Sequence, residues 1–175
     1  MAKKLKDIPT FTKQFWKKLG DETADRIRVH TTKGGKDVNN KTFKPYKTHS
    51  PFWFTKKVNG KAIKIYAEDY KTRKASGKIP RQSSTSSKPD LQLTGNMMKN
   101  LQTRGFSRDN VVVGWSGTNA QKIQWNADNK ERVVTSKTKP VTNKIERFIF
   151  KEVDLAIARN AKEATSKPIN LKIGK

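Results

Sequence analysis

The chain has 175 residues, only 33% of them apolar, and 39 Lys and Arg against 15 Asp and Glu leave a formal charge of +24. That length fits one domain with a modest core, and no apolar run approaches the roughly 20 residues that span a bilayer. Cysteine is absent, which excludes disulfides, thiolate metal sites and cysteine nucleophiles and suits a cytosolic assembly route.

Residues 1–9, MAKKLKDIP, read as a basic arm; they carry charge but no apolar segment of the signal-peptide kind. A single α+β domain is expected over 10–165, opening with a helix over 10–30. Pro9 stands just ahead of it, Thr10 can cap it, and Phe11, Phe15, Leu19, Thr23, Ile27 and His30 recur every three or four positions. Trp16 widens that stripe while Lys13, Lys17 and Lys18 face water, and the stripe is expected to pack on a sheet. Gly20 weakens the helix by up to about 1 kcal/mol relative to alanine. His30 reads as a C-terminal helix residue rather than a ligand, because His49 has a loop-like setting.

After a turn-rich stretch at 31–40 come Phe43, Pro45 and Tyr46, then two strand-like runs at 52–58 and 61–66. Asn59-Gly60 between them favours a two-residue hairpin turn, whose central positions both need positive φ. Phe52, Trp53 and Phe54 cannot all point one way, since strand side chains alternate faces. Either an aromatic lies on an outer, partner-facing surface, or the three join a local cluster with Tyr46 and Tyr66; both stay open. Residues 66–75 suit a short charged helix, and 77–90 read as a mobile polar loop, free or laid over a neighbour.

Order returns at Leu91 and Leu93, which alternate like a strand entry. Thr94 can cap a short helix whose apolar face is Met97, Met98 and Leu101. A hairpin is expected over 102–106 and 111–116 with its turn at Ser107–Asn110, and Gly114 inside the second strand suggests a bulge or a close backbone approach. A helix over 118–128 has Ile123 and Trp125 as its large apolar contributors, and 132–140 form a basic loop with Lys137 and Lys139 as interface candidates. The final helix, capped by Thr142 or Asn143 with Glu146 completing a capping box, carries Ile145, Phe148, Ile149, Val153, Ala156 and Ile157. Phe150 and Leu155 fall beside that stripe, so a wide buried arc is expected, lying across the sheet next to the first helix and ending near Thr165. In the extended tail at 166–175, Ile169, Leu171 and Ile173 alternate, either for an exposed edge of another subunit or for the chain's own sheet.

The charge is almost all lysine and scattered from Lys3 to Lys175. Such a surface attracts polyanions without the planar fork used in base reading, so it suits salt-dependent, non-specific contact with nucleic acid or an acidic protein neighbour. Catalytic patterns are weak. Asp21, Glu22 and Asp25 share a helix with Lys17 and Lys18 and read as surface pairing; Asp128 and Glu131 are weaker still. Thr32-Lys33-Gly34-Gly35-Lys36 lacks the phosphate-loop pattern and follows no strand. No catalytic residue, cofactor or metal is assigned.

The element order, a Phe43–Tyr46 segment, Leu93-Thr94-Gly95 with Met98, and a Val-rich strand through Val113 and Gly114, followed by a short helix, a basic loop and a long terminal helix, resembles a family of tailed-bacteriophage proteins. This is the virion-morphogenesis and tail-completion (neck, head–tail joining) family, Mu G-like, and the resemblance covers roughly 34–165. The aromatic hairpin at 51–66 stands as an insertion relative to that pattern, and the proline-rich entry to the last helix is reduced to Lys139-Pro140. The resemblance implies a small antiparallel sheet of hairpins packed by long terminal helices, and a homo-oligomeric ring at the virion neck. It also implies portal, connector and tail proteins as partners, possible contact with genomic DNA, no membrane, and assembly in the host cytoplasm. The alternative is a basic, non-sequence-specific DNA-binding protein, and a third possibility is a metal-dependent nuclease through Asp21.

Overall fold

The computed structural model describes residues 11–46, 52–91 and 95–166. Its architecture is α+β, with nine elements among those residues and the strands in two separate antiparallel hairpins rather than one sheet. Helix α1, Lys13–Thr32, begins where Thr12 Oγ1 accepts from the Phe15 amide at 3.1 Å, so Thr12 and not Thr10 is the capping residue. Its buried face is Leu19, Gly20, Thr23, Ala24, Ile27 and Thr31, and this face packs on the hairpin of β3 (Gln102–Phe106) and β4 (Val111–Gly114). Gly20 is a contact requirement as well as a weak helix former: a Cβ there would lie 2.5 Å from Val111 Cγ2 and 2.6 Å from Thr103 Oγ1. At the other end of the contact, Trp16 Nε1 donates to the Arg108 carbonyl at 2.7 Å, tying the start of α1 to the hairpin turn.

The β3–β4 turn closes through the Ser107 amide to the Asn110 carbonyl at 2.9 Å, as the turn residues suggested. The bulge, however, is not at Gly114. The register shifts between Thr103 and Gly105 on the facing strand, and a Cβ on Gly114 would touch nothing within 4 Å. Leu91 is buried but sits at φ +55°, so it is a turn residue and not a strand entry. Leu93 and Thr94 lie outside the described residues. The single turn α3, Asn96–Lys99, is entered through Gly95 at φ +76°, a conformation that costs glycine little. Arg28 of α1 then donates to the Met98 and Leu101 carbonyls at 3.1 and 2.9 Å, satisfying acceptors at the end of that turn.

The core gathers Ala24, Ile27, Phe43, Leu91, Met98, Leu101, Ile123, Val134 and Ile145. Of the two large apolar residues of helix α4, Gly117–Lys130, only Ile123 reaches the core; Trp125 is 52% exposed, with the Lys130 ammonium 5.2 Å from its ring. The basic stretch after α4 is anchored by Val134 and by the Val38 amide donating to the Val133 carbonyl at 2.9 Å. Helix α5, Asn143–Ser166, has Thr142 as its cap, with Thr142 Oγ1 accepting from Ile145 N at 3.3 Å; Glu146 is therefore one residue out of capping-box register. It lies against α1 rather than across strands, and the Arg26 guanidinium stacks 3.6 Å over the Phe148 ring at that joint. Its buried arc is narrower than expected: Ile145 and Ala156 are covered, whereas Phe150, Leu155 and Ile157 are exposed.

The other hairpin pairs β1 (Phe52–Val58) with β2 (Lys61–Ala67) through Asn59 and Gly60 at φ +49° and +78°, the turn that the Asn-Gly pair suggested. Helix α2, Tyr70–Ala75, follows after Asp69 caps the Thr72 amide at 3.0 Å, so residues 66 and 67 remain in the strand.

Candidate functional site

The three consecutive aromatics divide between both readings. Phe52 and Phe54 share one face of the hairpin, with ring centroids 5.5 Å apart. Tyr70 stands edge-on at 4.9 Å from Phe52 and at 4.9 Å from Tyr46, which completes a local cluster at the hairpin base. Trp53 lies on the opposite face, 65% exposed, and pairs there with its cross-strand neighbour Tyr66 at 5.0 Å. The local cluster thus includes Tyr46, while Trp53 and Tyr66 form an outward aromatic pair.

Behind that base sits a buried polar centre with no local sequence signal. Lys74, on a helix that reads from the sequence as short and charged, is 0% exposed, and Asp90 is 3% exposed. The Lys74 ammonium donates to Asp90 Oδ1 and, at 3.2 Å, to the Tyr46 hydroxyl; Ser84 Oγ donates to the other Asp90 oxygen. Burial, followed by the nearby Asp90 charge, pushes the Tyr46 hydroxyl above its usual range, and burial with the neighbouring Tyr46 raises Tyr70 well above it. Both phenols therefore stay neutral at physiological pH. The Arg132 guanidinium lies 5.2 Å from the Tyr46 ring, and burial lowers its pKa.

The 77–90 loop folds onto this centre. Gln82 accepts from the Ile79 amide at 2.9 Å and donates to the Lys74 and Ser84 carbonyls at 2.8 and 2.9 Å, while Ile79 is buried. A shallow polar depression of about 650 Å³ remains, lined by Thr32, Gln82, Ser83 to Ser86 and Asp90. The arrangement cross-links α2, the loop and the segment ahead of β1; its polar groups are engaged with one another.

The acidic candidates are tied up as surface pairs. Asp21 accepts from the Lys17 ammonium and the Thr103 hydroxyl, each at 2.7 Å, and these bonds, Lys17 first, hold its carboxyl below the usual range. Asp25 pairs with Arg28, and Glu22 faces Lys18 at 3.9 Å. Asp128 accepts from Gln124 at 2.8 Å, and Glu131 pairs with Lys44. Residues 32–36 close the C-terminus of α1: the amides of Lys33, Gly34 and Gly35 already donate to carbonyls of Val29 and Thr31, so they form no phosphate cradle. Among the described residues no group of three His or acidic side chains could hold a metal ion, and no helix is long and apolar enough to cross a membrane. His30 donates through Nε2 to the Asp37 carbonyl at 2.8 Å, which gives it a structural role.

Of the remaining candidates, Lys137 is exposed, and Lys139 is half-buried with its amide donating to Ser136 Oγ at 2.9 Å. Met98 is buried at 2% and Val113 packs against the core, so these two resemblance residues serve packing. Ile169, Leu171 and Ile173 lie outside the described residues. The exposed flank of α5 is the surface that sequence periodicity assigned to the interior. Phe150 is 60% and Ile157 47% exposed, seven residues apart and therefore on one side of the helix, and Leu155 is 42% exposed on the other flank. No family model, curated protein or solved structure matches this chain.

Proposed function

We propose that this protein is a structural subunit of a phage head–tail neck, a tail-completion, terminator or connector protein. In this reading, copies associate as a ring around the DNA channel and bridge portal or connector and tail proteins in the virion after assembly in the host cytoplasm. The observation that carries the self-association is the uncovered side of α5. Phe150 and Ile157 leave large apolar side chains in water on a helix with five basic and four acidic residues, in a chain whose formal charge is +24. Copies of so basic a protein repel each other over most of their surface. Along α5 that repulsion is nearly balanced, so apolar burial can act there, and repeated contacts of one kind close into a cyclic assembly. The outward Trp53–Tyr66 pair supplies a second face for a virion partner.

Sedimentation velocity and native mass spectrometry of the full chain test this. The expected result is a species larger than the monomer that F150E/I157E reduces to monomer while far-UV circular dichroism is unchanged. A wild-type chain that stays monomeric at the highest attainable concentration and is missing from purified particles overturns the reading. A second reading, a non-sequence-specific DNA-binding protein, is favoured by one observation, the exposed outer half of the β1–β2 hairpin, in which lysines are the only charged residues.

A further inference from the structure

In a strand, successive side chains point to opposite faces, so a hairpin resting on its domain buries every second residue. The inner part of the β1–β2 hairpin obeys this: Phe52 and Phe54 are half-buried, Ala67 is buried and Trp53 is out. From Thr55 to Lys64 the alternation disappears and all ten residues are exposed, Val58 at 39% and Ile63 at 46% included. Exposure on both faces means that this part stands clear of the described domain. It is a two-stranded ribbon on a short aromatic foot.

The ribbon's charge is one-sided. Thr55–Lys64 contains four lysines and no acidic residue, and among the described residues none of the four has an ion-pair partner. Lys56 and Lys57 belong to β1, Lys61 and Lys64 to β2; by strand alternation and register Lys56 and Lys61 share one face and Lys57 and Lys64 the other, so each strand and each face carries two ammonium groups. The register sets Lys56 opposite Ile63, Lys57 opposite Ala62, Lys61 opposite Val58 and Lys64 opposite Thr55. No two lysines face each other directly, which limits repulsion within the free hairpin. Four clear residues per strand at about 3.3 Å per residue make the free part of the ribbon about 13 Å long, and the major groove of B-DNA, about 12 Å wide, admits a two-stranded ribbon.

The geometry points to the β1–β2 hairpin as a DNA-contacting arm that lies along a groove of duplex DNA, with its lysines meeting the phosphates on both sides of that groove. This deepens the DNA-binding reading above and rests on it, adding the element and the mode of contact. A groove flanks an inserted ribbon with phosphates on both sides, which lysines on either face can reach, whereas an acidic protein helix laid on one face would meet only two of the four. Lysine brings point charge without a base-reading fork, so the arm contacts DNA irrespective of sequence.

The test is binding of the full chain to a short random-sequence duplex across a salt series, with the variant K56Q/K57Q/K61Q/K64Q and a control, K13Q/K78Q/K88Q/K122Q, that lowers net charge equally at exposed sites elsewhere. Circular dichroism and thermal melting check that both variants fold. Each phosphate contact contributes about 0.9 to the slope of log K against log salt, so the arm variant should flatten that slope by about three to four and weaken low-salt binding by on the order of 100-fold. The control should change both much less. Equal effects from the two variants would assign DNA contact to the whole surface and overturn the arm while leaving the DNA-binding reading intact. Wild-type protein that ignores duplex at low salt overturns both. Poly-glutamate displacing duplex as well as competitor duplex does, at equal charge, would make the occupant an acidic chain and overturn the groove assignment.

Discussion

The Lys74 ammonium and the Asp90 carboxylate form an ion pair shielded from water, between a helix and the end of a loop sixteen residues away in sequence. Taking two charges out of water is costly, and the pair persists because the Tyr46 and Ser84 hydroxyls occupy further bonding positions of the same two groups. Removing one partner strands the other. Asp90→Asn should therefore cost about 3–5 kcal/mol in urea unfolding, and the double variant K74M/D90L should recover part of it. By contrast, Lys17→Ala, which breaks a half-exposed pair with Asp21, should cost under about 1 kcal/mol. Equal losses at the two sites would refute the distinction.

The α1–hairpin contact depends on a missing side chain. Gly20→Ala gains up to about 1 kcal/mol of helix propensity, yet its methyl group would collide with Val111 and Thr103, and overpacking costs about 1–3 kcal/mol. The clash should win, giving a lower melting temperature that Val111→Ala partly restores. A G20A protein more stable than wild type would show that the hairpin yields easily.

Capping at the start of α5 offers a sharper choice between neighbours. Thr142→Ala should lose about 1 kcal/mol because Oγ1 no longer accepts from Ile145 N. Asn143→Ala, at the first helical position, should leave thermal stability nearly unchanged. The reverse order would place the cap at Asn143.

Alkaline pH probes the aromatic foot. The folded-state pKa values of Tyr46 and Tyr70 are raised above the ordinary 10.0, by burial first in each case. The folded protein then holds protons that the unfolded chain releases. Stability from these groups is fully present below pH 10 and is lost as pH rises through and beyond it. Urea unfolding at a series of alkaline pH values should show this decline, and Tyr70→Phe should make it shallower. An identical decline in the variant would assign the effect to other groups.

Local signals were readable where one short stretch carries the whole cause. Asn59-Gly60 announces its turn because few residues accept positive φ at two successive positions, and the stripe from Leu19 to Ile27 marks its helix because 3.6-residue periodicity needs no partner to be seen. Leu91 misled because alternation with Leu93 over so short a span cannot tell a strand from a turn at φ +55°. Phe150 misled for another reason: apolar character says which side chains favour burial, not whether the chain supplies something to cover them.

Taken alone, the amino-acid order determined the α+β class, the two hairpins and their turns, the two long helices and the absence of any cysteine chemistry. All of these arise from interactions between near neighbours or from composition. Only the tertiary structure decided that Lys74 meets Asp90, that Gly20 must stay bare beneath Val111, that one side of α5 is left uncovered, and that the tip of β1–β2 stands in solvent. Those outcomes depend on residues distant along the chain arriving at one place, and the relative stability of such meetings is set by packing and desolvation summed over the whole fold.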